Sequence, residues 1–434
     1  MAASVARGQA TQPPADTWRA WRAANLAWLR GQVTPNRVVP DPNPARRRLV
    51  VSYDIPAEQL PQGYHRSYTY DDALAALAFF VVGERDAAAF TLHGLARLVR
   101  PDGSLWFSYN TADSWPDEEY HESAMVRAGA VSWVGYAFAF YLSHSPPCAA
   151  EEPGCARERA FFRETASKLG NYLLSLQVDD PADPRHGLLR LGYGTIELHH
   201  RPETNEIIEI YLDELAWGIS TENNISAWFF FREFARLTGE ARWSQAVQRI
   251  QLGLLRSAWN DGLSQFNRGF RPGGAADPVK ALDCASWGAL FLQAAGEAEK
   301  AERTLAVIDT YYATRHDAAR GYRPYDDFPI FKRAGVGGFF YPEAPRKQWR
   351  DLPVVWSEGT LGVALAHLRL GDSERAREII AGVQPLQVEG SGLRYASKEV
   401  PYQMADAAGV AASAWLVLVG EMLAGNPVAN EFWQ

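Results

Sequence analysis

The sequence predicts an all-α protein in which six helical hairpins close into a double ring, an (α/α)6 barrel with long loops covering its mouth. First, a unit of apolar helix, short turn, amphipathic helix and Gly-containing aromatic loop recurs along the chain. Second, the first helix of each unit is apolar nearly all round, whereas the second carries charges on one face. Because a helix without a polar face must be buried on most sides, the first helices should form an inner ring and the second an outer ring.

The hairpins follow one another along the chain. The five inner segments are YDDALAALAFFVVG, AGAVSWVGYAFAFYL, TENNISAWFFFREFARLTG, ALDCASWGALFLQAAG and WSEGTLGVALAHLRLG. Their outer partners are ERDAAAFTLHGLARLV, ARERAFFRETASKLGNYLLSLQ, EARWSQAVQRIQLGLLRSAW, EAEKAERTLAVIDTYYATR and DSERAREIIAGVQPL. Four of the turns inside these hairpins contain Gly83, Gly239, Gly296 and Gly371, the residue type favoured just past a helix end.

The sixth hairpin is predicted from the two ends of the chain. A last apolar helix, ADAAGVAASAWLVLVGEML, has no partner after it, so the N-terminal helix at 15–32 should close the ring. Residues 33–68 then form an extended arm. The stretches 178–220 and 316–356 are too long for plain connectors and are expected to wall a cleft, since long loops in compact domains are usually functional.

Composition limits the function classes. Of the 434 residues 47% are hydrophobic and 22% are charged, which is typical of a globular protein, and no apolar run is long enough to span a membrane. The net charge of −8 argues against a nucleic-acid partner and favours a neutral or cationic ligand. No Pro- or Ser-rich linker divides the chain, so we expect one domain over residues 1–434, acting as a monomer.

Carboxylates recur at the predicted starts of the inner helices. In such a ring these starts gather at one mouth. The carboxylates are Asp71, Asp72, Glu222, Asp283, Glu358 and Asp406. Each could simply cap its helix. If several face one concavity, however, they raise one another's pKa, as a proton donor near neutral pH requires.

Glycoside hydrolysis needs a protonated carboxyl group and an ionised one across the scissile bond. The mouth could supply both. We expect Glu222 to be the proton donor and Asp283 or Glu358 the base or nucleophile. Asp72 would position the substrate or serve as the alternative acid.

Aromatic residues accompany the acids in the predicted mouth loops, where sugar rings could stack on them. The expected substrate-binding residues are Asp71, Trp106, Tyr109, Trp115, His121, Tyr211, Trp217, Tyr322 and Trp356. These aromatics could instead pack the loops against one another. His199, His200 and Glu203 form a local HHRPE cluster that could bind a metal. No second group of metal ligands at an established spacing accompanies it, so no metal and no cofactor is expected.

Taken in order, these segments resemble bacterial six-hairpin glycosidase-like proteins. The resemblance rests on YDDALAALAFF, DGSLWFSYN, STENNISAWFFF, LDCASWGALFL, WSEGTLGVALAH and GVAASAW, followed by a Gly-Asn-Pro near the C-terminus, and covers nearly all of residues 68–427. It implies a carbohydrate substrate, with acid and base among Asp71, Asp72, Glu222, Asp283 and Glu358. It does not specify the sugar.

Two other functions fit the same ring. A polysaccharide lyase or a sugar 2-epimerase would abstract a proton with His or Tyr, and the candidates are His65, His121, His199, His200 and Tyr322. The remaining possibility is a carbohydrate-binding protein without catalytic activity.

The cysteines bear on localisation. Cys148 and Cys155 close a short loop, PPCAAEEPGC, where a disulfide is geometrically easy, whereas Cys284 lies in an apolar segment and should be buried. A disulfide would indicate a periplasmic or secreted protein. The N-terminal segment MAASVARGQATQPP lacks the apolar stretch of a signal peptide, which fits a cytoplasmic protein instead.

Overall fold

A computed structural model describes residues 15–59, 64–112, 125–149, 152–201, 203–204, 206–328, 348–400 and 403–434. Its helices in this part of the chain are α1 (Ala15–Gln32), α2 (Thr69–Val81), α3 (Arg85–Ala96), α4 (Ala128–His144), α5 (Pro153–Ser175), α6 (Thr221–Thr238), α7 (Ala241–Gly253), α8 (Leu282–Ala294), α9 (Ala298–Tyr312), α10 (Ser357–Arg369), α11 (Ser373–Val383), α12 (Val410–Leu423) and α13 (Pro427–Asn430).

The helices form the predicted double ring. The inner helices α2, α4, α6, α8, α10 and α12 each contact the next, and α12 returns to α2, so the inner ring is closed. Each of α3, α5, α7, α9 and α11 packs on the inner helix that precedes it, and α1 packs on α12. The (α/α)6 prediction is therefore confirmed.

The burial of the two helix types explains the two layers. In α4 every residue from Ala128 to Leu142 is buried, as an inner helix requires. In α7 the buried residues are Trp243, Ala246, Ile250 and Gly253, whose spacing of three or four places them on one face. The outer helix therefore covers the inner ring with one stripe and exposes the rest.

The structure also contains strands that were not expected from the sequence, and some of them hold the starts of inner helices. Most are two to four residues long, whereas β4 and β5 form a hairpin of 10 and 11 residues. The strands are β1 (Arg66–Tyr68), β2 (Ser108–Asn110), β3 (Val126–Arg127), β4 (Gly192–Arg201), β5 (Glu206–Ala216), β6 (Ile219–Ser220), β7 (Trp259–Asn260), β8 (Gln265–Phe266), β9 (Gly269–Phe270), β10 (Ala276–Asp277), β11 (Ala313–His316) and β12 (Ala319–Tyr322). Antiparallel pairs join β1 to β2, β3 to β4, β4 to β5, β6 to β9, β9 to β10, β7 to β8 and β11 to β12. Because β1, β3 and β6 run directly into α2, α4 and α6, this pairing fixes where those helices begin.

Aromatic side chains fill the inner ring below the mouth. The Trp433 ring stacks 4.5 Å from Phe229 and lies 4.8 Å from Trp133, centroid to centroid. Its backbone N–H donates to the Tyr136 hydroxyl over 2.9 Å. These contacts lie further along the inner helices than the acidic first turns, so the far end of the barrel is closed by the segment after α13.

The structure joins Cys148 to Cys155 by a disulfide between α4 and α5, with Cα atoms 5.7 Å apart, and buries Cys284 as predicted. Among the described residues, no helix combines the length and the apolar character that a membrane crossing requires.

Candidate active site

A cavity of about 500 Å³ opens at the end of the barrel where the inner helices begin. That size suits a small-molecule or sugar ligand. Its lining residues come from the inner helices, from the strands that lead into them, and from the extended arm and the loops around the mouth. They are Tyr53, Tyr68, Tyr70, Asp71, Phe107, Arg127, Gly129, Ala130, Trp133, Leu191, Ser220, Glu222, Asn223, Asp283, Trp287, Trp356, Glu358, Tyr395 and Ala411.

Four of the lining residues are carboxylates in first helical turns. Glu222, Asp283 and Glu358 each occupy the second position of their helix, and Asp71 the third position of α2. The capping explanation does not account for them. The Ser220 side chain caps α6 by accepting from the Asn223 N–H, and α2, α8 and α10 have no side-chain cap. The carboxyl groups are therefore available to the cavity.

Burial raises the pKa of all four carboxyl groups. It raises the pKa of Asp71 to about 8, of Glu358 to about 8 and of Glu222 to about 7. The pKa of Asp283 is raised well above its ordinary value, first by burial and then by the charges of Glu222 and Glu358. Protons are thus held in this cavity at neutral pH, as general acid catalysis requires.

Hydrogen bonds distinguish Glu358 from Asp283. The Tyr70 hydroxyl donates to Glu358 Oε1, and the Trp415 indole N–H donates to the Tyr70 oxygen over 2.9 Å. A hydrogen bond from Tyr395 also lowers the Glu358 pKa. In contrast, Asp283 Oδ1 is buried and has no hydrogen-bond partner among the described residues. Donated hydrogen bonds favour an ionised carboxylate, so Glu358 is the better anion and Asp283 the better acid.

Arg127 is the one cationic side chain among the residues lining the cavity. Its guanidinium donates to the Tyr193 and Gly194 carbonyl oxygens, over 3.2 and 2.6 Å, and contacts Met125 Sδ. Burial lowers its pKa to about 10. Because these groups engage its nitrogens, Arg127 ties β3 to β4 at the rim, and it keeps its positive charge there at neutral pH.

Two glycines permit the close packing of the mouth. A Cβ on Gly129 would lie 2.3 Å from Asn223 Oδ1, so glycine lets the starts of α4 and α6 meet. A Cβ on Gly359 would lie 2.2 Å from Trp356 Cε3. Glycine directly after Glu358 therefore lets the Trp356 ring fold over the first turn of α10.

The cavity brings together only some of the predicted site residues. Asp71, Glu222, Asp283, Glu358 and Trp356 line it. Six others lie away from it: Asp72, Trp106, Tyr109, Tyr211, Trp217 and Tyr322. Trp115 and His121 lie outside the described residues.

The aromatic residues away from the cavity have local partners. The Arg100 guanidinium lies over the Trp106 ring, 4.3 Å from the ring centroid. The backbone N–H of Trp106 donates to the Tyr109 hydroxyl. The Tyr211 hydroxyl donates to Asp213 over 3.3 Å. These contacts fit the alternative in which loop aromatics pack for stability.

Trp217 and Tyr322 differ in exposure, but both side chains lie away from the cavity. Trp217 is 47% exposed and lies under the Arg190 guanidinium. Tyr322 is buried, and its hydroxyl donates to Asp309 Oδ1 over 2.7 Å on the outer layer. Neither side chain reaches the acidic cavity.

Asp406 does not begin an inner helix, contrary to its predicted place. Helix α12 starts at Val410, and the residue it contributes to the cavity lining is Ala411. Carboxylates therefore enter the cavity from four of the six inner helices.

Asp72 holds the extended arm against the ring. Its Oδ1 accepts from the Val50 N–H over 2.7 Å, its Oδ2 accepts from the Ser67 hydroxyl over 2.8 Å, and the side chain is fully buried. Both oxygens are thus engaged away from the cavity.

We expect Asp72→Ala to lower the free energy of unfolding by about 2–4 kcal/mol, because it leaves two buried donors without an acceptor. Activity per folded molecule should change little. Chemical denaturation together with active-site titration measures both quantities. A variant of normal stability that has lost its turnover would assign Asp72 to the chemistry instead.

Several lining residues were not predicted as site residues. Trp133 and Trp287 lie four residues after Gly129 and Asp283, so one helical turn of spacing places them on the same face. This helical spacing is the sequence signal from which the two tryptophans could have been predicted. Tyr70 adjoins Asp71 and could have been found as its neighbour, whereas no sequence pattern marks Tyr395 in the loop between α11 and α12.

No protein-family model and no curated protein sequence matches the chain. Solved structures, in contrast, do match it. A GH63 mannosylglycerate hydrolase from Thermus thermophilus in complex with glucose is 16% identical, with a TM-score of 0.55 over 93% of this chain and 99% of that one. A GH76 α-mannanase from Bacteroides thetaiotaomicron is 8% identical, with a TM-score of 0.56 over 94% and 96%.

A cellobiose 2-epimerase from Bacillus thermoamylovorans is 9% identical, with a TM-score of 0.55 over 92% of this chain and 99% of that one. These likenesses span nearly the whole length of both chains. They show that the chain shares the (α/α)6 toroid fold of these structures.

Proposed function

We propose that the protein is a glycoside hydrolase acting on an oligosaccharide or polysaccharide. The observation that carries the proposal is the contrast between Asp283 and Glu358 in one aromatic-lined cavity. Asp283 has a pKa raised by burial and by two neighbouring carboxylates, with one oxygen free of hydrogen bonds among the described residues. Glu358 accepts hydrogen bonds that favour its ionised form. Such a pair is what glycoside hydrolysis requires.

In the proposed reaction Asp283 donates its proton to the glycosidic oxygen as the bond from that oxygen to the anomeric carbon breaks. Ionised Glu358 acts at the anomeric carbon, either by taking a proton from the attacking water or by attacking directly. Burial keeps the acid protonated, and the charge of Glu222 adds to this effect by raising the pKa of Asp283 further. The proton donor in this assignment is Asp283, whereas Glu222 was the donor expected from the sequence.

The similar structures include hydrolases and an epimerase, so the fold leaves the choice of reaction open. The residues lining the cavity support hydrolysis. They include four carboxylates and, within the described chain, no histidine. His65 is buried outside the lining, and the side chains of His121, His199 and His200 lie outside the described set. A lyase or epimerase that abstracts a proton with histidine therefore has less support.

A panel of bacterial exopolysaccharides, plant glucans and mannosides tests the proposal. We expect new reducing ends without ultraviolet absorbance. Unsaturated products absorbing in the ultraviolet would identify a lyase, and an unchanged chain length with an altered terminal sugar would identify an epimerase. Binding without turnover across the panel would indicate a carbohydrate-binding protein.

Tyr70→Phe is expected to shift the acidic limb of the pH–activity profile to higher pH by about one unit. The variant removes a hydrogen bond that stabilises ionised Glu358, so the pKa of Glu358 rises and the base is ionised only at higher pH. The profile of kcat/KM measures the shift. Tyr311→Phe, on the outer helix α9, is the matched control and should leave the profile unchanged. An unshifted limb in Tyr70→Phe would contradict the role of Glu358.

The Cys148–Cys155 disulfide supports an exported protein, periplasmic or secreted. Thiol labelling of the protein taken directly from its native cells tests this localisation. Two blocked cysteines and one reactive after denaturation are expected, whereas three free thiols would indicate a reducing compartment.

A further inference from the structure

The wall of the cavity is complete. Every inner helix contributes a lining residue, and adjacent inner helices contact one another around the whole ring. These residues are Asp71, Ala130, Glu222, Asp283, Glu358 and Ala411. A sugar chain bound between the acids therefore has no lateral exit between the helices.

The floor of the cavity is also closed. Trp133 and Trp287 line the cavity with ring centroids 5.6 Å apart, and both are almost fully buried. Below them lies Trp433, 4.8 Å from Trp133 and 5.1 Å from Trp287. A polysaccharide therefore cannot thread along the barrel axis.

The acids lie close above this floor. Asp283 and Trp287 are four residues apart on α8, a rise of about 6 Å along the helix. A sugar bound beside Asp283 is therefore within one helical turn of the tryptophan floor, and the Trp433 ring packed against that floor leaves no path for a further sugar beyond it.

We propose that the cavity is a chain-end site: the enzyme binds the terminal sugar of a glycan on the Trp133–Trp287 floor and cleaves the bond that joins this sugar to the rest. The inference rests on the proposed hydrolysis and specifies its substrate as a glycan with a free end. The released product is a monosaccharide, and the remainder of the chain leaves through the mouth.

The test uses a hexasaccharide of whichever glycan the panel shows to be hydrolysed, in three forms. One is unmodified, one carries a cyclic acetal on the non-reducing terminal sugar, and one is reduced to the alditol at the other end. We expect a monosaccharide as the only early small product and a loss of at least about 100-fold in kcat/KM when the recognised end is blocked. Early products of mixed length, or equal rates on all three forms, would overturn the inference while leaving hydrolysis intact.

Binding separates failure of the inference from failure of the proposed function. Quenching of tryptophan fluorescence reports occupancy of the floor for hexasaccharides of every glycan in the panel, each in the same three forms, whether or not it is hydrolysed. Trp287→Phe should reduce the quenching. Trp259→Phe, which removes an indole on β7 outside the cavity, is the matched control. End-dependent binding without turnover would refute hydrolysis alone, and absence of both would refute both proposals.

Discussion

Asp283→Asn is expected to lower kcat on natural glycosides by about 10³-fold. The change removes the only proton of the side chain that could reach the glycosidic oxygen, while the amide keeps the shape of the carboxyl group. Folding should be little affected, because Asp283 Oδ1 makes no hydrogen bond in the described structure. Steady-state kinetics and thermal unfolding of the same preparation measure the two effects.

The choice of leaving group distinguishes the donor from its neighbour. The dinitrophenolate leaving group of a dinitrophenyl glycoside departs without protonation. Asp283→Asn should therefore recover most of its kcat/KM on such a substrate. Glu222→Gln is the matched variant, since Glu222 lies in the same cavity at the same helical position on α6. If Glu222→Gln shows this recovery and Asp283→Asn does not, Glu222 is the donor, as its sequence position first indicated.

The fold could be predicted because its signal repeats. Each hairpin pairs a helix without a polar face with one that has a single apolar stripe, and α4 and α7 illustrate the two patterns. The strands were not predicted. A strand of two residues, such as β6, is too short to show the alternation by which strands are recognised, and it forms because a partner strand lies beside it. The longer β4 and β5, of 10 and 11 residues, lie in the stretch 178–220, which was interpreted as a long loop.

The candidate acids could be predicted from their place at helix starts, but not their orientation. Asp71 and Asp72 are adjacent, and successive helical residues point about 100° apart. One therefore lines the cavity while the other holds Val50 and Ser67. Which of the two faces the mouth depends on where the arm packs, and that contact joins residues distant in sequence.

The aromatic predictions were the least reliable part of the site. Loop aromatics such as Trp106 and Trp217 have no periodicity that fixes their direction, so they could not be placed from sequence, and Tyr211 was interpreted as a loop residue although it lies in β5. The lining tryptophans Trp133 and Trp287 lie inside helices, where spacing does fix direction. In α4 and α8 the position one turn beyond a lining residue was thus a better guide to the cavity than loop composition.

Glu358→Gln is expected to abolish turnover, by about 10³-fold or more, and at the same time to stabilise the fold at high pH. The folded-state pKa of Glu358 is about 8 against an ordinary value of 4.5, because burial disfavours its charge. The unfolded chain therefore releases this proton at lower pH than the folded protein. The stability that the protonated group provides is complete below pH 4.5 and declines as the pH rises to about 8.

Glutamine carries no charge and can still accept the hydrogen bond from Tyr70, so the variant avoids this decline. Above pH 8 it should exceed the wild type by about 5 kcal/mol, and below pH 4.5 the two should be equal. Denaturant unfolding across that range measures the difference. Glu299→Gln on the exposed face of α9 is the control and should follow the wild type. A variant that loses stability at high pH would show that ionised Glu358 is held mainly by its hydrogen bonds, with burial the smaller effect.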